Sequence, residues 1–287
     1  MWNQVPPDVV LVEQEVVMES KKHAGRELVQ IAYAKVATGQ GECCGSASDV
    51  DATALGIGYS KEDLAVAPEG ANLGLGCGNP TALAELRPGE VVIDLGSGAG
   101  FDAFLCARRV GPTGRVIGID MTPEMLEKAR RSAEKTGATN VDFRQGYIEE
   151  VPVAEKTADV VISNCVVNLS PDKPRVLREA FRVLKPGGRL RISDIATRRP
   201  LPREVRDDVR ALCACLAGCL TLDEYRTFLE KAGFTAIELA VSKSRTVDDL
   251  LGSDDPLVRE VKKAPHLLAQ ADNFVSVLVS ATRPGAK

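Results

Sequence analysis

The chain has 287 residues, which is enough to bury a sizeable core in one large domain and excludes a small fold held together by disulfides. Its 36 basic and 40 acidic residues give a net charge of −4, so no basic footprint points to nucleic acid or to an anionic membrane. The chain begins without a charged segment followed by an apolar one, and no run approaches the roughly 18 apolar residues of a spanning helix. We therefore expect a cytoplasmic protein with a small-molecule partner and with neither nucleic acid nor membrane among its partners.

The first part of the chain predicts helices and a shaped loop. Residues 8 to 38 mix charged and apolar positions with few breakers, which is typical of one or two amphipathic helices. A loop with two adjacent cysteines, Cys43 and Cys44, follows them. Residues 68 to 80 contain six glycines and prolines, which prevent a regular element. We expect a long functional loop there, and it carries Cys77.

From residue 90 onward, short β-rich runs alternate with helical patterns. Strands are predicted at 90–95, 115–120, 141–145, 159–164 and 188–194, and helices at 100–110, 122–137 and 172–184. Two later helices are predicted at 203–217 and 221–232, and two late strands at 235–240 and 274–281. The alternation predicts an α/β fold with a mainly parallel sheet, helices on both faces and an antiparallel hairpin at one edge. We expect three regions, with helices and cysteine-bearing loops over 1–86, the ligand-binding core over 87–200, and further helices and late strands over 201–287.

A glycine turn follows the first predicted strand. Gly96, Ser97, Gly98 and Gly100 stand where the strand becomes a helix, which in an open α/β sheet is the ligand crevice. Glycine lets a ligand approach the backbone, and the amides of a helix N-terminus can meet a carboxylate. Asp94 precedes the turn at the strand end, where its carboxylate could face a cationic amino group. A turn without a ligand is the alternative interpretation.

Two neighbouring positions narrow the choice of ligand. Asp120 ends the second predicted strand, where a carboxylate can accept hydrogen bonds from both hydroxyls of a ribose. Phe101 stands where the dinucleotide-binding pattern requires its last glycine, so a nicotinamide cofactor is disfavoured.

Residues 88 to 196 resemble the seven-strand class I methyltransferases, which have a Rossmann-like sheet. The resemblance rests on Asp94-Leu95-Gly96-Ser97-Gly98-Ala99-Gly100, Gly118-Ile119-Asp120 and Leu184-Lys185-Pro186-Gly187-Gly188. It implies that S-adenosylmethionine is bound by Asp94, Gly96, Ser97, Gly98, Gly100 and Asp120, together with Asn164 after the fourth strand. It also implies that Tyr147 and Ile148 flank the adenine and that Met121 covers its other face. Ordinary core packing is the alternative for Ile148 and Met121.

The cysteines define a second side of the same crevice. Because the cytosol keeps thiols reduced, we interpret the eight cysteines as free thiols, metal ligands or catalytic groups rather than as a set of structural disulfides. Cys165 follows the fourth strand at the carboxyl edge of the sheet, although core packing would explain it if it were isolated. Thiolates drawn from distant segments, Cys77, Cys165 and Cys215, suit a soft trigonal pyramidal centre such as trivalent arsenic or antimony. Cys106, inside a predicted helix, is expected to pack in the core.

Residues 53 to 240 resemble the arsenite methyltransferases more closely still. The matching stretches are Leu55 to Ser60, Pro68 to Pro80, Asp120 to Met125 and Ser163 to Lys173. The resemblance implies that Cys77, Cys165 and Cys215 bind arsenic and that Cys44, or its neighbour Cys43, is a fourth, redox-active cysteine. The family usually has one cysteine in its late helix, whereas this chain has Cys213, Cys215 and Cys219. Cys215 matches best, with Cys219 on the same helical face as an alternative.

The resemblance implies an enzyme that methylates arsenite for arsenic detoxification. Arsenic bound by three thiolates keeps a lone pair for attack on the methyl group, so positioning rather than a general base supplies the catalysis. An intramolecular disulfide involving Cys44 would return the product to the trivalent state, and a thiol reductant, glutathione or thioredoxin, would recharge the enzyme. Methylated arsenite would be a further substrate. The rival interpretations are a C-methyltransferase acting on a quinone-like acceptor and a soft-metal-binding protein without turnover.

Overall fold

The computed structural model describes residues 23–40, 50–213, 215–241 and 265–285. The helices are α1 (23–37), α2 (Val50–Gly56), α3 (Lys61–Val66), α4 (Pro80–Leu83), α5 (Phe101–Val110), α6 (Pro123–Thr136), α7 (Lys173–Val183), α8 (Arg203–Arg206), α9 (Val209–Cys213), α10 (Leu222–Ala232) and α11 (Pro265–Leu268). The strands are β1 (Val91–Leu95), β2 (Arg115–Asp120), β3 (Val141–Gln145), β4 (Ala158–Asn164), β5 (Leu184–Thr197), β6 (Thr235–Val241) and β7 (Phe274–Thr282). Within the described ranges, none of the helices is long and apolar enough to cross a membrane.

One seven-stranded sheet organises these elements in the order β3-β2-β1-β4-β5-β7-β6. The first five strands of this order pair in parallel, and β7 pairs antiparallel with both β5 and β6. The predicted α/β fold with a mainly parallel sheet and an antiparallel edge is therefore confirmed. The two late strands pair antiparallel at one edge of the sheet as predicted, with β7 between β5 and the edge strand β6.

The strand β5 is longer than its sequence indicated. It begins at Leu184 rather than at residue 188, because Leu184 already pairs with Ala158. Ala158 pairs with Leu184 whereas Val160 pairs with Arg189, so the Lys-Pro-Gly-Gly stretch between Leu184 and Arg189 forms a bulge on β5. Such a bulge lets a strand accommodate residues that cannot continue the regular ladder.

The core lies on both faces of the sheet and follows the two-residue period of the strands. On one face Ile93 and Ile119 belong to a buried cluster that includes residues of α7 and α10. On the other face Val92 and Val160 pack with residues of α5 and α6. Parallel pairing sets Leu95 beside Ile119 and Ser163, so the carboxyl ends of β1, β2 and β4 meet at one edge. That edge is where a ligand crevice is expected in an open α/β sheet.

The predicted helix over 203–217 is wrong in its second half. The structure has two short helices, α8 and α9, and Cys215 follows them in a left-handed turn with φ of 60°. The Leu216 and Ala217 amides both donate to the carbonyl of Ala211, which closes the turn. Cys215, Leu216 and Ala217 are all buried, and a helix would point three successive residues in directions about 100° apart. The chain therefore leaves the helix so that Cys215 can face the sheet, and Cys219 shares no helical face with it.

Candidate active site

The glycine turn after β1 folds back onto β2. The Gly96 and Ser97 amides donate to the carbonyl of Ile119 at 2.8 and 3.0 Å. Gly96 has φ of 73°, and a Cβ on it would lie 2.4 Å from Val166, so only glycine suits this position. The turn thereby borders an open crevice of about 1160 Å³, including its mouth.

Most predicted cofactor residues line this crevice. They are Asp94, Gly96, Ser97, Gly98, Asp120, Met121, Tyr147, Ile148 and Asn164. Gly100, the N-cap of α5, is not among the residues that line the crevice, so its role toward the cofactor stays a prediction. A Cβ on it would lie 2.8 Å from Phe143 and 2.9 Å from Phe104. Its lack of a side chain therefore serves close packing behind the turn.

Three carboxylates, the buried Asp94 and Asp102 and the partly buried Asp120, give the crevice its electrostatic character. Burial, and then the negative charges of Asp102 and Asp120, raise the pKa of Asp94 well above its ordinary range. Within the described residues, Asp94 Oδ2 and Ser97 Oγ are buried without a hydrogen-bond partner. Unpartnered buried acceptors beside clustered acids favour a ligand with a positive charge and hydrogen-bond donors. The methionine part of S-adenosylmethionine, which carries an ammonium and a sulfonium, fits this requirement.

Asp120 connects the turn to the mouth of the crevice. Its Oδ2 accepts from the Gly98 amide at 2.9 Å, and its Oδ1 accepts from the Thr122 amide at 2.8 Å. A carboxylate has about four lone-pair sites, so these two bonds leave room for hydroxyl donors. The role predicted for Asp120 toward a ribose stays a prediction.

The helix α1 covers the side of the crevice assigned to the adenine. Arg26 lies 4.6 Å from the centroid of the Tyr147 ring and 3.3 Å from a carboxylate oxygen of Glu149. Gln30 Nε2 donates to the Met121 carbonyl at 2.9 Å. The sequence indicated only an amphipathic helix here, with no local signal that it would reach this crevice, and its predicted residues 8–22 lie outside the described part.

Tyr59 and Asp102 are crevice residues for which the sequence analysis gave no role. The Tyr59 hydroxyl donates to Asp102 Oδ1 at 2.6 Å, and Asn164 Nδ2 lies 2.9 Å from that hydroxyl and 3.0 Å from Asp102 Oδ2. Burial and the neighbouring Asp102 raise the pKa of Tyr59 well above its ordinary value, so the phenol remains a donor. Tyr59 lies in the stretch from Leu55 to Ser60 that resembles the arsenite methyltransferases. This resemblance was the available signal that Tyr59 belongs to the site.

Two of the predicted arsenic-binding cysteines are in direct contact. Cys77 and Cys165 form a disulfide with their Cα atoms 5.8 Å apart. The fold thus brings the two sulfurs together beside the crevice, and their predicted role as arsenic ligands, which requires the reduced thiols, stays a prediction. The Cys77 segment is held by Ser276 on β7, whose Oγ donates to the Cys77 carbonyl at 3.0 Å. Asp194 is also close, with a carboxylate oxygen within 4.8 Å of both sulfurs.

Cys215 belongs to the same buried cluster as Cys77 and Cys165. Its Sγ lies 3.0 Å from the Cys165 carbonyl oxygen. Cys165 and Cys215 have φ of 56° and 60°, in the left-handed region that residues other than glycine rarely adopt. Such backbone strain is concentrated at functional sites. Three distant segments therefore converge at the carboxyl edge of the sheet.

The remaining cysteines are distinguished by their surroundings. Cys219 donates through its Sγ to the Cys215 carbonyl at 3.1 Å, and burial raises the pKa of its thiol well above the ordinary value. Cys106 is fully buried in the core cluster behind the turn, which confirms the packing role predicted for it. Cys43 and Cys44 lie outside the described residues.

A buried acid and a buried base lie behind the cysteines. Burial raises the pKa of Asp194 to about 7, although the hydrogen bonds that its carboxylate accepts act to lower this pKa. Its carboxylate accepts from Tyr225 at 2.9 Å and from Asn168 at 2.8 Å. Burial lowers the pKa of Lys173, whose Nζ donates to the Ser170 carbonyl at 2.8 Å. A polar network thus fills the space between β5 and the Cys215 turn.

The fold and the crevice at the ends of β1, β2 and β4 define a class I methyltransferase, and a family model described as a methyltransferase domain matches residues 86–233. Over 246 residues the chain is 47% identical to the arsenite methyltransferase of Halobacterium salinarum, covering 81% of this chain and 63% of that protein. It is 39% identical to the arsenite methyltransferase of Aquipseudomonas alcaligenes, covering 78% of this chain and 66% of that one. The chain belongs to the arsenite methyltransferase family.

A solved structure supports the same assignment. The arsenic (III) S-adenosylmethionine methyltransferase of Chlamydomonas reinhardtii is 35% identical and superposes with a TM-score of 0.59, covering 82% of this chain and 73% of that one. The chain spans just under two thirds of the length of the two curated relatives.

Proposed function

We propose that this chain methylates trivalent arsenic, using S-adenosylmethionine as the methyl donor, in arsenic detoxification. The observation that carries the proposal is the meeting of Cys77, Cys165 and Cys215 in one buried cluster at the edge of the acidic crevice. Three sulfur ligands suit a soft trigonal pyramidal centre. The names of the similar proteins support the same substrate.

The donor side of the crevice suits a cationic methyl donor whose methyl group is directed toward the cysteines. When bound, S-adenosylmethionine supplies a methyl group on a positively charged sulfur. The arsenic lone pair attacks this methyl group, and S-adenosylhomocysteine is the leaving group. Asp94 would hold the ammonium of the methionine part, Asp120 would accept hydrogen bonds from the ribose hydroxyls, and the turn at Gly96 and Gly98 would admit the ligand to the backbone. Tyr147, Ile148 and Met121 would hold the adenine.

The acceptor side requires thiols. Reduction of the Cys77–Cys165 disulfide by two glutathione molecules, or by one dithiol of the thioredoxin type, releases both thiols and leaves the reductant as a disulfide. Arsenite then exchanges three hydroxyls for the sulfurs of Cys77, Cys165 and Cys215 and releases three molecules of water. Thiolate ligation makes this capture dependent on pH. A reducing cytoplasm is the compartment that sustains the cycle.

Methylation raises arsenic to the pentavalent state, so a reduction must follow. We assign it to Cys44, or to its neighbour Cys43. A thiolate there attacks an arsenic-bound cysteine sulfur and forms a disulfide with it. The electron pair of the broken arsenic–sulfur bond stays on arsenic, which returns to the trivalent state with its methyl group. The cellular thiol then reduces the disulfide, and methylated arsenite can bind again.

The reaction needs no general base, because the arsenic lone pair carries no proton. Within the described residues, neither histidine lines the crevice. His23 contacts Glu27 at 3.2 Å, and His266 contacts Asp208 at 3.0 Å. This arrangement favours attack by a lone pair over methylation of a hydroxyl or an amine.

The test is product speciation with arsenite, S-adenosylmethionine and glutathione. We expect methylated arsenic, with one S-adenosylhomocysteine for each methyl group transferred, and loss of both products in the Cys215→Ser variant. Cys106→Ser is the matched control, because Cys106 is a buried cysteine outside the cluster, and it should retain activity. Full activity of Cys215→Ser would contradict a three-thiolate site.

The same assay separates the two rivals. A C-methyltransferase would consume S-adenosylmethionine with a quinone-like acceptor and would give no methylated arsenic. A soft-metal-binding protein would retain arsenite and release no S-adenosylhomocysteine. Either result in place of methylated arsenic would replace the proposed function.

A further inference from the structure

The three arsenic-binding sulfurs depend on segments that are far apart in the chain. Cys165 follows a core strand, whereas Cys77 lies in a glycine-rich loop and Cys215 in a turn after α9. Loops need specific contacts to hold a side chain in place. Two asparagines of the segment that carries Cys165, Asn164 and Asn168, make those contacts.

Asn164 holds the Cys77 loop through two backbone groups, one on each of two neighbouring residues. Its Oδ1 accepts from the Cys77 amide at 3.1 Å, and its Nδ2 lies 2.9 Å from the Gly78 carbonyl oxygen. A Cβ on Gly76 would lie 2.9 Å from Asn164 Nδ2, and one on Gly78 would lie 2.1 Å from Ser193 Oγ. The glycines on either side of Cys77 therefore allow the loop to approach the asparagine and the sheet.

Asn168 holds the Cys215 turn in a comparable way. It is fully buried, and its Nδ2 lies 2.6 Å from the Ile195 carbonyl oxygen and 2.8 Å from Asp194 Oδ1, both on β5. The same nitrogen lies 3.3 Å from the Cys215 carbonyl oxygen. A Cβ on Gly218 would lie 2.0 Å from the Asn168 backbone oxygen. The Cys215 turn thus packs directly against Asn168.

We propose that Asn164 and Asn168 are positioning residues that assemble the arsenic site, Asn164 by docking Cys77 on Cys165 and Asn168 by docking Cys215. The inference rests on the proposed function, because it concerns the same three sulfurs. Neither amide binds arsenic. Groups that orient ligands typically change metal affinity by about ten- to a hundredfold when they are removed.

The experiment measures arsenic coordination without the methyl donor. Reduced protein is loaded with arsenite, its affinity is measured by equilibrium dialysis, and X-ray absorption gives the number of arsenic–sulfur bonds. We expect three such bonds in the wild type. In Asn168→Ala we expect two sulfurs and one oxygen on arsenic and a roughly ten- to hundredfold weaker affinity, because Cys215 is released.

A matched variant separates positioning from general destabilisation. Asn273 is also fully buried, and its Nδ2 donates to the Arg199 carbonyl at 3.0 Å. Asn273→Ala should keep three arsenic–sulfur bonds and wild-type affinity. In Asn168→Ala the KM for arsenite should rise, while the affinity for S-adenosylmethionine stays within about twofold, because Asn168 does not line the donor crevice.

Asn164→Ala tests the same proposal at a partly exposed position. It can therefore replace Asn168→Ala if that variant fails to fold. It should also bind arsenic through two sulfurs and one oxygen, here because Cys77 is released. Three arsenic–sulfur bonds at wild-type affinity in either variant would overturn the role of that asparagine. A wild-type protein that binds arsenite without three sulfurs, or that makes no methylated arsenic, would instead refute the proposed function.

Discussion

The donor half and the acceptor half of the crevice are built in different ways. The donor half is built around one continuous segment, β1, the glycine turn and the start of α5, and the residues that follow β2 and β3 complete it. The acceptor half collects cysteines that are separated by 88 residues between Cys77 and Cys165 and by 50 residues between Cys165 and Cys215. Local backbone geometry therefore shapes one half, and long-range contacts of side chains shape the other.

This difference has an energetic consequence. A substitution in the donor turn should disturb the core, because the turn packs on β2 and Val166. A substitution in the acceptor half should change ligand capture more than folding, because the cysteines and their loops lie at the margin of the sheet. The following variants separate the two effects.

The largest effect is expected for Gly96→Ala. The added Cβ would lie 2.4 Å from Val166 at a φ of 73°, so we expect a loss of about 3 kcal/mol in the free energy of unfolding and loss of donor binding. Gly137→Ala is the control, because Gly137 is left-handed with φ of 65° and a Cβ there meets nothing within 4 Å. That variant should lose about 1 kcal/mol. Urea denaturation measures both, and equal losses would contradict the steric explanation.

Asp94→Asn should weaken the binding of S-adenosylmethionine by roughly ten- to a hundredfold, the range for hydrogen bonds to charged groups. The asparagine side chain has the same size as that of aspartate, so only the negative charge that faces the ammonium is lost. Arsenite affinity in the absence of donor should stay at the wild-type value. Isothermal titration calorimetry can measure the effect, with Asp142→Asn, an exposed ion-pair partner of Arg115, as the control. Unchanged donor affinity would remove Asp94 from the donor site.

Asp194→Asn should reveal a pH dependence in the acceptor half. Burial raises the pKa of Asp194 from 3.8 to about 7, so its contribution to stability is full below the ordinary pKa and is lost as pH rises through about 7. Between pH 5 and pH 8 the reduced, arsenic-free wild type should therefore lose roughly 2 kcal/mol relative to the variant. Chemical denaturation at the two pH values measures this difference. Parallel changes in both proteins would show that another group titrates.

The smallest effect is expected for Arg26→Ala on α1. The variant loses the stacking on Tyr147 and the contact with Glu149, so the KM for S-adenosylmethionine should rise by about two- to fivefold. Arg131→Ala, which removes an exposed helical ion pair with Glu127, should leave KM unchanged. An unaltered KM in Arg26→Ala would mean that α1 covers the crevice without contributing to donor binding.

The same contrast explains what the sequence could predict. The α/β alternation, the sheet edge and most donor residues follow from local patterns of period two and from the glycine turn. The close packing of Gly100 against Phe143 could not be predicted, because it depends on a strand some forty residues away. The turn at Cys215 was mistaken for helix because the local propensity is helical, while burial of three successive residues decided the backbone. The contacts of α1 with the crevice have no local signature at all.

The insertion of β7 between β5 and β6 has a consequence for the newly made protein. Ser276 on β7 holds the carbonyl of Cys77 across 199 residues of chain. At about 5 to 20 residues per second, a ribosome needs roughly 10 to 40 seconds to bridge that interval. Throughout this time the Cys77 carbonyl lacks its contact with β7, although Asn164 and Cys165 have been made much earlier. The Cys77 loop therefore gains its last anchor only when the end of the sheet has been synthesised.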